Sequence, residues 1–386
     1  MKMTPVAATE LLYQTEAPED ANGWLPDTAE LFASHAAAIC YSEQNFEAVA
    51  SEPIEKTLKR IAFNIKNGHH SVMDHYSISF YIENCPKFFA MMLNNEKVYG
   101  TSEKSGRYTT MQTEGLEKQL YDKWTEKYET LIEQRYPNLP ELQRHKLALE
   151  NARYIISIFT PSTSLLYTTN YRQWRYLLKW SQDIVNNPGR YFLGTYIMPY
   201  LQEFISALKD YGITPLDDGK ERSFSIFGKR DRSEEFGETY CTTYAGSFAL
   251  LAQEQRHRTL SYELTPHRPT SFYVPPILQE HHDLVDEWLG DLTSVANFYP
   301  QGMLININER GTVENFLLKC GERLCSSAQL EICQQTVSTY KDCLWRRPNL
   351  VLKYAPEGTP VARCQAGFQC HRPCYWGGKH ALERMI

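Results

Sequence analysis

The sequence predicts an α+β fold built as two related copies in one chain. Residues 52–65 place Ile54, Leu58, Ile61 and Ile65 at i, i+4, i+7 and i+11, the spacing of one apolar helix face. Residues 76–83 (YSISFYIE) alternate apolar and polar, like a half-buried strand. The order strand, short helix, polar loop then occurs at 76–108 and again at 238–275. A long helix followed by an aromatic-rich one occurs at 146–184 and again at 296–335. Residue identity between the halves is low, so from the residues alone the repeat rests on element order.

Along the chain, residues 28–67 read as two helices, with Thr28 capping the first and Gly68 stopping the second. A short helix follows at 86–93, then a polar loop over 94–113. Helices are expected at 114–136, with a charged, solvated face, and at 139–158, 170–184 and 190–211. Residues 212–236 are polar and rich in turn residues, so the boundary falls there. The expected domains are a first copy at 1–211, a second at 212–350 and a Cys-rich tail at 351–386. The second copy restarts with a strand at 238–243 and a helix at 245–258. A loop with four prolines between 266 and 276 follows. A helix at 278–299 and a pair at 313–324 and 328–342 complete the copy.

Composition limits the function. Of 386 residues 42% are hydrophobic, enough for ordinary buried cores. The net charge of −6 provides no global basic field for duplex nucleic acid or an anionic membrane. An anionic ligand must therefore meet a local cluster of Arg and Lys. The N-terminal stretch lacks the apolar core of a signal peptide, and no apolar run is long enough to span a bilayer. The expectation is a cytoplasmic protein without nucleic-acid or membrane partners.

Several clusters carry chemistry. Arg256-His257-Arg258 ends a predicted helix, and two planar guanidinium forks flanking an imidazole suit a phosphate or pyrimidine carbonyls. The bland alternative is a solvated helix end. In Glu103-Lys104-Ser105-Gly106-Arg107, glycine permits close backbone approach, and Ser105, Arg107 and loop amides can converge on one anion. An ordinary turn uses the same residues. His69, Ser71, Asp74 and His75 lack metal-ligand spacing and read as a capping loop. Cys364, Cys370, His371 and Cys374 are competent for a structural Cys₃His zinc site, with Cys343 as a further thiol, against buried or free thiols. Tyr167, Tyr171, Trp174, Tyr176 and Trp180 read as packing aromatics, and His281-His282 as surface residues.

Taken in order, these pieces resemble the flavin-dependent thymidylate synthases. The first half offers Ala36-Ala37-Ala38-Ile39-Cys40-Tyr41, then His69, Ser71, Asp74 and His75. Glu103, Ser105, Arg107 and Tyr108 follow, then Ala152-Arg153 and Asn170-Tyr171-Arg172. Asn95-Glu96-Lys97 stands where that family has Arg-His-Arg. The second half offers Gln253, Arg256-His257-Arg258, Asn308 and Arg310, and Arg323 ahead of Ala328-Gln329-Leu330-Glu331-Ile332. It lacks the His-x-Ser stretch. Its Glu263 runs into Leu264-Thr265-Pro266 instead of the family's Ser-x-Arg-Tyr loop.

The resemblance implies two diverged copies of that family's fold, helices around a small, mostly antiparallel sheet, with complementary losses. It also implies a homodimer that imitates a tetramer. It assigns His69, Ser71, Asn170, Arg256, His257 and Arg258 to FAD. Glu103, Ser105, Gly106, Arg107, Arg153, Gln253 and Arg323 go to the nucleotide, and Arg256, Arg258, Ser105 and Arg107 bear on catalysis. The implied reaction methylates dUMP with methylenetetrahydrofolate and NADPH. The alternatives are a relative acting on another pyrimidine nucleotide and a catalytically silent nucleotide-binding protein.

Overall fold

Two small antiparallel sheets organise the chain. The computed structural model describes residues 1–13, 25–40, 42–217, 222–228, 237–268, 270–325, 327–355, 362 and 384–386. Within them the strands are β1 (Lys2–Ala8), β2 (Ser77–Cys85), β3 (Gly100–Glu103), β4 (Thr163–Asn170), β5 (Thr239–Ser247), β6 (Ser261–Pro266) and β7 (Leu304–Thr312). The helices are α1 (Leu25–Ile39), α2 (Phe46–Ala50), α3 (Ile54–Lys66), α4 (Lys87–Asn94), α5 (Gly115–Arg135), α6 (Glu141–Ala152), α7 (Tyr171–Asn186), α8 (Gly194–Asp210), α9 (Phe248–Glu254), α10 (His282–Ser294), α11 (Val313–Arg323), α12 (Leu330–Arg346) and α13 (Pro348–Tyr354).

Two compact units form from interleaved stretches. The first comprises Met1–Cys85, Glu96–Lys104 and Thr163–Phe224; the second comprises Pro86–Asn95, Ser105–Ser162 and Ser225–Ile386. The first unit carries a sheet of order β1-β2-β4-β3. Phe80 on β2 meets Trp174 of α7 edge-on at 4.9 Å, and the Trp174 indole donates to the Ile78 carbonyl at 3.2 Å. That contact buries a large ring while satisfying its one donor. Tyr167, Tyr171, Trp174, Tyr176 and Trp180 are all buried here, as packing aromatics. Gly68 follows α3 at φ +76, where a side chain is strained, so the expected helix stop is realised.

The second unit carries a sheet of order β5-β7-β6. Its apolar core gathers around Trp124 and Tyr128 of α5 and Trp288 of α10, with Trp124 and Trp288 edge-on at 4.7 Å. Helix α5 is thus not merely a solvated charged rod. Its Leu120, Tyr121, Trp124, Tyr128, Leu131 and Ile132 are buried, while Lys123 and Lys127 pair with Glu287 at 2.8 and 2.5 Å.

The two sheets repeat a pattern. In chain order β2, α4 and β3 are followed later by β4, which lies between β2 and β3 and runs straight into α7. Likewise β5, α9 and β6 are followed by β7, which lies between β5 and β6 and runs straight into α11. Each of those last helices is capped by the final residue of its strand. Asn170 accepts from the Gln173 amide at 2.8 Å, and Thr312 from the Asn315 amide at 3.2 Å.

Several elements differ from expectation. Residues 139–158 are not one helix: α6 stops at Ala152. The Ile156 carbonyl then accepts from the Gln301 amide (2.8 Å), and the Ile158 amide donates to the Tyr299 carbonyl (2.9 Å). β-Branched residues favour that extended pairing over a helix. Residues 278–299 shorten to α10, which ends at Ser294; a separate 3₁₀ turn over Ala296–Phe298 follows and stops at Tyr299 in a left-handed conformation. Strands β1, β4, β6 and β7 have no counterpart among the expected elements, although burial alternates along β4 and β7. In β7 the inward position after Ile305 and Ile307 is Glu309, whose charge breaks the apolar pattern.

Candidate functional site

Three guanidiniums gather in the second unit. Arg107 sits in a tight turn in which the Ser105 carbonyl accepts from the Tyr108 and Thr109 amides, at 3.1 and 3.2 Å. Ser105 Oγ also accepts from the Arg107 amide at 3.4 Å. A Cβ on Gly106 would stand 2.7 Å from Met111 Sδ and 3.7 Å from Arg153 Cδ, so glycine keeps the turn close to Arg153. Arg107 donates from Nε to Glu150 and from Nη2 to the Ser327 carbonyl at 2.6 Å.

Arg153, just past the end of α6, donates to Gln329. Gln329 donates to the Tyr154 hydroxyl, which donates to Glu331 at 2.8 Å. Glu331 further accepts from the amide and hydroxyl of Ser247, at 2.9 and 2.6 Å. Arg323 ends α11 and donates to the Gln253 carbonyl at 3.1 Å. Burial pulls the Arg153 and Arg323 guanidiniums down from their usual range, and the Arg107 charge adds to this in both. Three positive groups therefore share one electrostatic neighbourhood. Arg153 Nε, Arg323 Nε and Gln253 Oε1 are buried with no hydrogen-bond partner. Buried guanidinium donors without an acceptor are costly, and an incoming anion would satisfy them.

Beyond α9 lies the Arg-His-Arg segment. Arg256 and Arg258 are exposed, whereas His257 is half-buried with Nε2 unpartnered. Burial pushes the His257 imidazole down to about 2, helped by the Arg323 and Lys319 charges. It is therefore neutral at physiological pH. Below its ordinary value of 6.5 the unfolded chain binds a proton that the folded chain refuses, so this group's contribution falls as pH drops. Glu254, raised by burial, acts in the opposite sense. A comparison with His257→Asn isolates the histidine. Between about pH 7 and about pH 5, the wild type should lose roughly 2 kcal/mol relative to the variant by urea titration. Parallel stability curves would contradict the neutral, buried histidine.

The first unit holds the other expected residues. His69 and Ser71 are exposed at the start of a 3₁₀ turn before β2. Arg172 Nη2 pairs with Asp74 at 2.8 Å, so the His-x-Ser stretch and the Asn-Tyr-Arg stretch are tied together. Asn170 Oδ1 is engaged as the α7 cap. Glu103 ends β3 and accepts from Thr163 Oγ1 at 3.3 Å. Asn308 and Arg310 lie on β7, with Arg310 paired to Glu263 at 2.6 Å. His281 and His282 are exposed.

Sequence reasoning missed Glu150, Tyr154 and the buried trio Glu254, Glu309 and Lys319. Only Glu150 had a signal: it precedes Arg153 by three positions on one helix face. Cys364, Cys370, His371 and Cys374 lie outside the described residues. Among the described residues no group of three or more His, Cys, Asp or Glu side chains is arranged to hold a metal. No helix among them is long and apolar enough to cross a membrane.

Residues 9–183 match the family model described as Thymidylate synthase complementing protein. That match contains His69, Ser71, Glu103, Ser105, Gly106, Arg107, Arg153 and Asn170; Gln253, Arg256, His257, Arg258 and Arg323 lie beyond it. Flavin-dependent thymidylate synthase from Pyrococcus furiosus is 25% identical over 145 residues, covering 34% of this chain and 56% of that protein. The enzyme of the same name from Pseudothermotoga lettingae is 28% identical over 130 residues, covering 31% and 58%. The chain thus spans little more than half the length of these curated relatives. Among solved structures, flavin-dependent thymidylate synthase ThyX from Helicobacter pylori, complexed with FAD and dUMP, aligns with a TM-score of 0.32 at 19% identity. The alignment covers 55% of this chain and 93% of that one. A UMP/dUMP methylase PolB from Streptomyces cacaoi aligns with a TM-score of 0.29 at 17% identity, over 46% and 76%.

Proposed function

We propose that the protein is a flavin-dependent enzyme of the thymidylate synthase type, methylating dUMP with FAD, methylenetetrahydrofolate and NADPH. The observation that carries this reading is the pair of unpartnered buried Nε donors on Arg153 and Arg323 beside Arg107. A nucleotide phosphate supplies acceptors of the right charge, and fixed guanidinium forks hold it in one orientation. Gln253, with its unpartnered Oε1, suits a donor on the pyrimidine ring. Ser105 and Gly106 shape the turn that presents Arg107.

The residues present also fit FAD. Two exposed guanidiniums flank an imidazole that stays neutral and has a buried, unpartnered nitrogen, a donor set suited to a polarised, anionic heterocycle. On this reading Arg256, His257 and Arg258 contact the flavin; the family resemblance also assigns His69, Ser71 and Asn170 to FAD. Bound FAD supplies the redox chemistry that couples NADPH oxidation to one-carbon transfer. The chain's own residues orient the uracil ring and stabilise negative charge developing on it, which is positioning plus electrostatics. The shared strand pattern of the two sheets supports a tandem duplication whose copies lost different motifs, and hence a homodimer standing in for a tetramer.

The test is the visible spectrum of the purified protein reconstituted with FAD, before and after dUMP. Flavin absorbance that shifts on adding dUMP, followed by dTMP formation from the complete mixture, is the expected result. Protein that stays colourless at saturating FAD would refute the flavoenzyme reading and favour a silent nucleotide-binding protein.

A further inference from the structure

The two residues directly before Arg256 are polar and almost wholly enclosed: Glu254 is 0% and Gln255 2% exposed. Such positions at the end of a short helix ordinarily carry apolar side chains, because burying a carboxylate or amide is costly unless each polar atom finds a partner. Here each side chain is bonded to its surroundings. Glu254 accepts from Lys319 Nζ at 2.7 Å and from the Tyr244 hydroxyl. Lys319, itself 0% exposed, donates again to Glu309 at 2.6 Å. Glu309 accepts from Tyr240 at 2.6 Å and lies 2.7 Å from the Tyr244 oxygen, whose single proton the two glutamates share. This network joins the end of α9 to β5, β7 and α11. Gln255 reaches the other way: its Nε2 donates to the Met91 carbonyl at 3.1 Å and to Asn95 Oδ1 at 3.0 Å. Asn95 in turn donates to Ser225 Oγ at 2.8 Å and to the Tyr262 carbonyl at 2.9 Å.

We propose that Glu254 and Gln255 are positioning residues: a two-sided clamp, anchored by Lys319 on one side and Asn95 on the other, that sets the directions in which Arg256, His257 and Arg258 project. The clamp rests on the reading that this segment contacts FAD. Backbone bonds alone do not fix it. The Arg256 amide donates to the Gln253 carbonyl at 3.3 Å and the His257 amide to the Glu254 carbonyl at 2.8 Å, so these backbone bonds reach back only three residues, into the end of α9 itself. The two exposed arginines need a rigid base if their forks are to meet a ligand without an ordering cost at binding. Asn95 occupies the place of an arginine in the first copy's motif, so on the duplication reading the lost Arg-His-Arg motif of the first copy has become a brace for the retained one of the second.

The experiment uses full-length protein in two readouts. Gln255→Leu removes one arm while keeping the site apolar. Glu254→Leu removes the other and leaves Lys319 paired with Glu309. Glu254→Gln keeps the shape and most bonds, so it should restore near wild-type behaviour. Hydrogen exchange of the peptide covering residues 255–260 should accelerate about tenfold in both leucine variants, with α12 unchanged. FAD titration by flavin fluorescence should show an affinity loss of about tenfold for Gln255→Leu in the wild-type background. In the Arg256→Ala background that substitution should cause almost none, the non-additivity of two residues acting as one unit. Unchanged exchange in this segment overturns the clamp even if the protein binds no FAD, an outcome that would separately sink the flavin reading. Equal, additive affinity losses in both backgrounds would also overturn it, because a merely structural residue behaves that way.

Discussion

Replacing Arg153 by alanine is expected to weaken dUMP binding by about two orders of magnitude, the range for truncating a buried charged hydrogen-bond partner. Arg153 is 8% exposed, bonded to Gln329, and carries an Nε with no protein acceptor. A nucleotide phosphate would complete it, so the variant loses a charge and a preformed fork together. Arg153→Lys retains the charge but not the planar fork and should recover only part of the loss. Calorimetric titration with dUMP on FAD-loaded protein reads the affinity, with urea midpoints taken in parallel. Arg153→Ala protein that folds and binds dUMP as tightly as wild type would remove Arg153 from the nucleotide site.

The second large effect is on stability. Glu331 is buried and accepts three hydrogen bonds, from the Ser247 amide, the Ser247 hydroxyl and the Tyr154 hydroxyl. Glu331→Ala strands a buried amide and two hydroxyls at once. The expected cost is about 3–5 kcal/mol, which lowers the melting temperature by roughly 6–15 °C for a unit of this size. Glu331→Gln keeps one strong acceptor and should cost about a third as much. If the two variants melt within a degree of each other, the three bonds are not what holds this segment.

The difference in legibility between elements follows from what periodicity measures. Helix α3 was readable because its apolar residues fall on one face and Gly68 closes it at positive φ. Strand β2 was readable because one face is buried along most of its length. Strand β7 was not, because its inward Glu309 looks like a solvent-facing residue until Lys319, ten positions along the chain, is placed against it. Residues 153–158 misled in the other direction. Their apolar run continues the helical spacing of α6, yet pairing with residues 299–302 wins over helix continuation.

By itself the sequence determined the α+β class and the candidate chemistry: which short stretches carry the Arg, His, Ser and Gly residues of an anion and heterocycle site, and in what order. Those are properties of residue type and local spacing. Only the tertiary structure decided which of them meet. It drew Arg107, Arg153 and Arg323 into one electrostatic neighbourhood from three distant stretches of chain, and left two of them with buried donors awaiting an acceptor. It also placed a buried Lys319 between two glutamates beneath the Arg-His-Arg segment. The reason is physical: a buried charge is tolerated only with its partner, and the partner's identity is set by three-dimensional proximity, which no local pattern encodes.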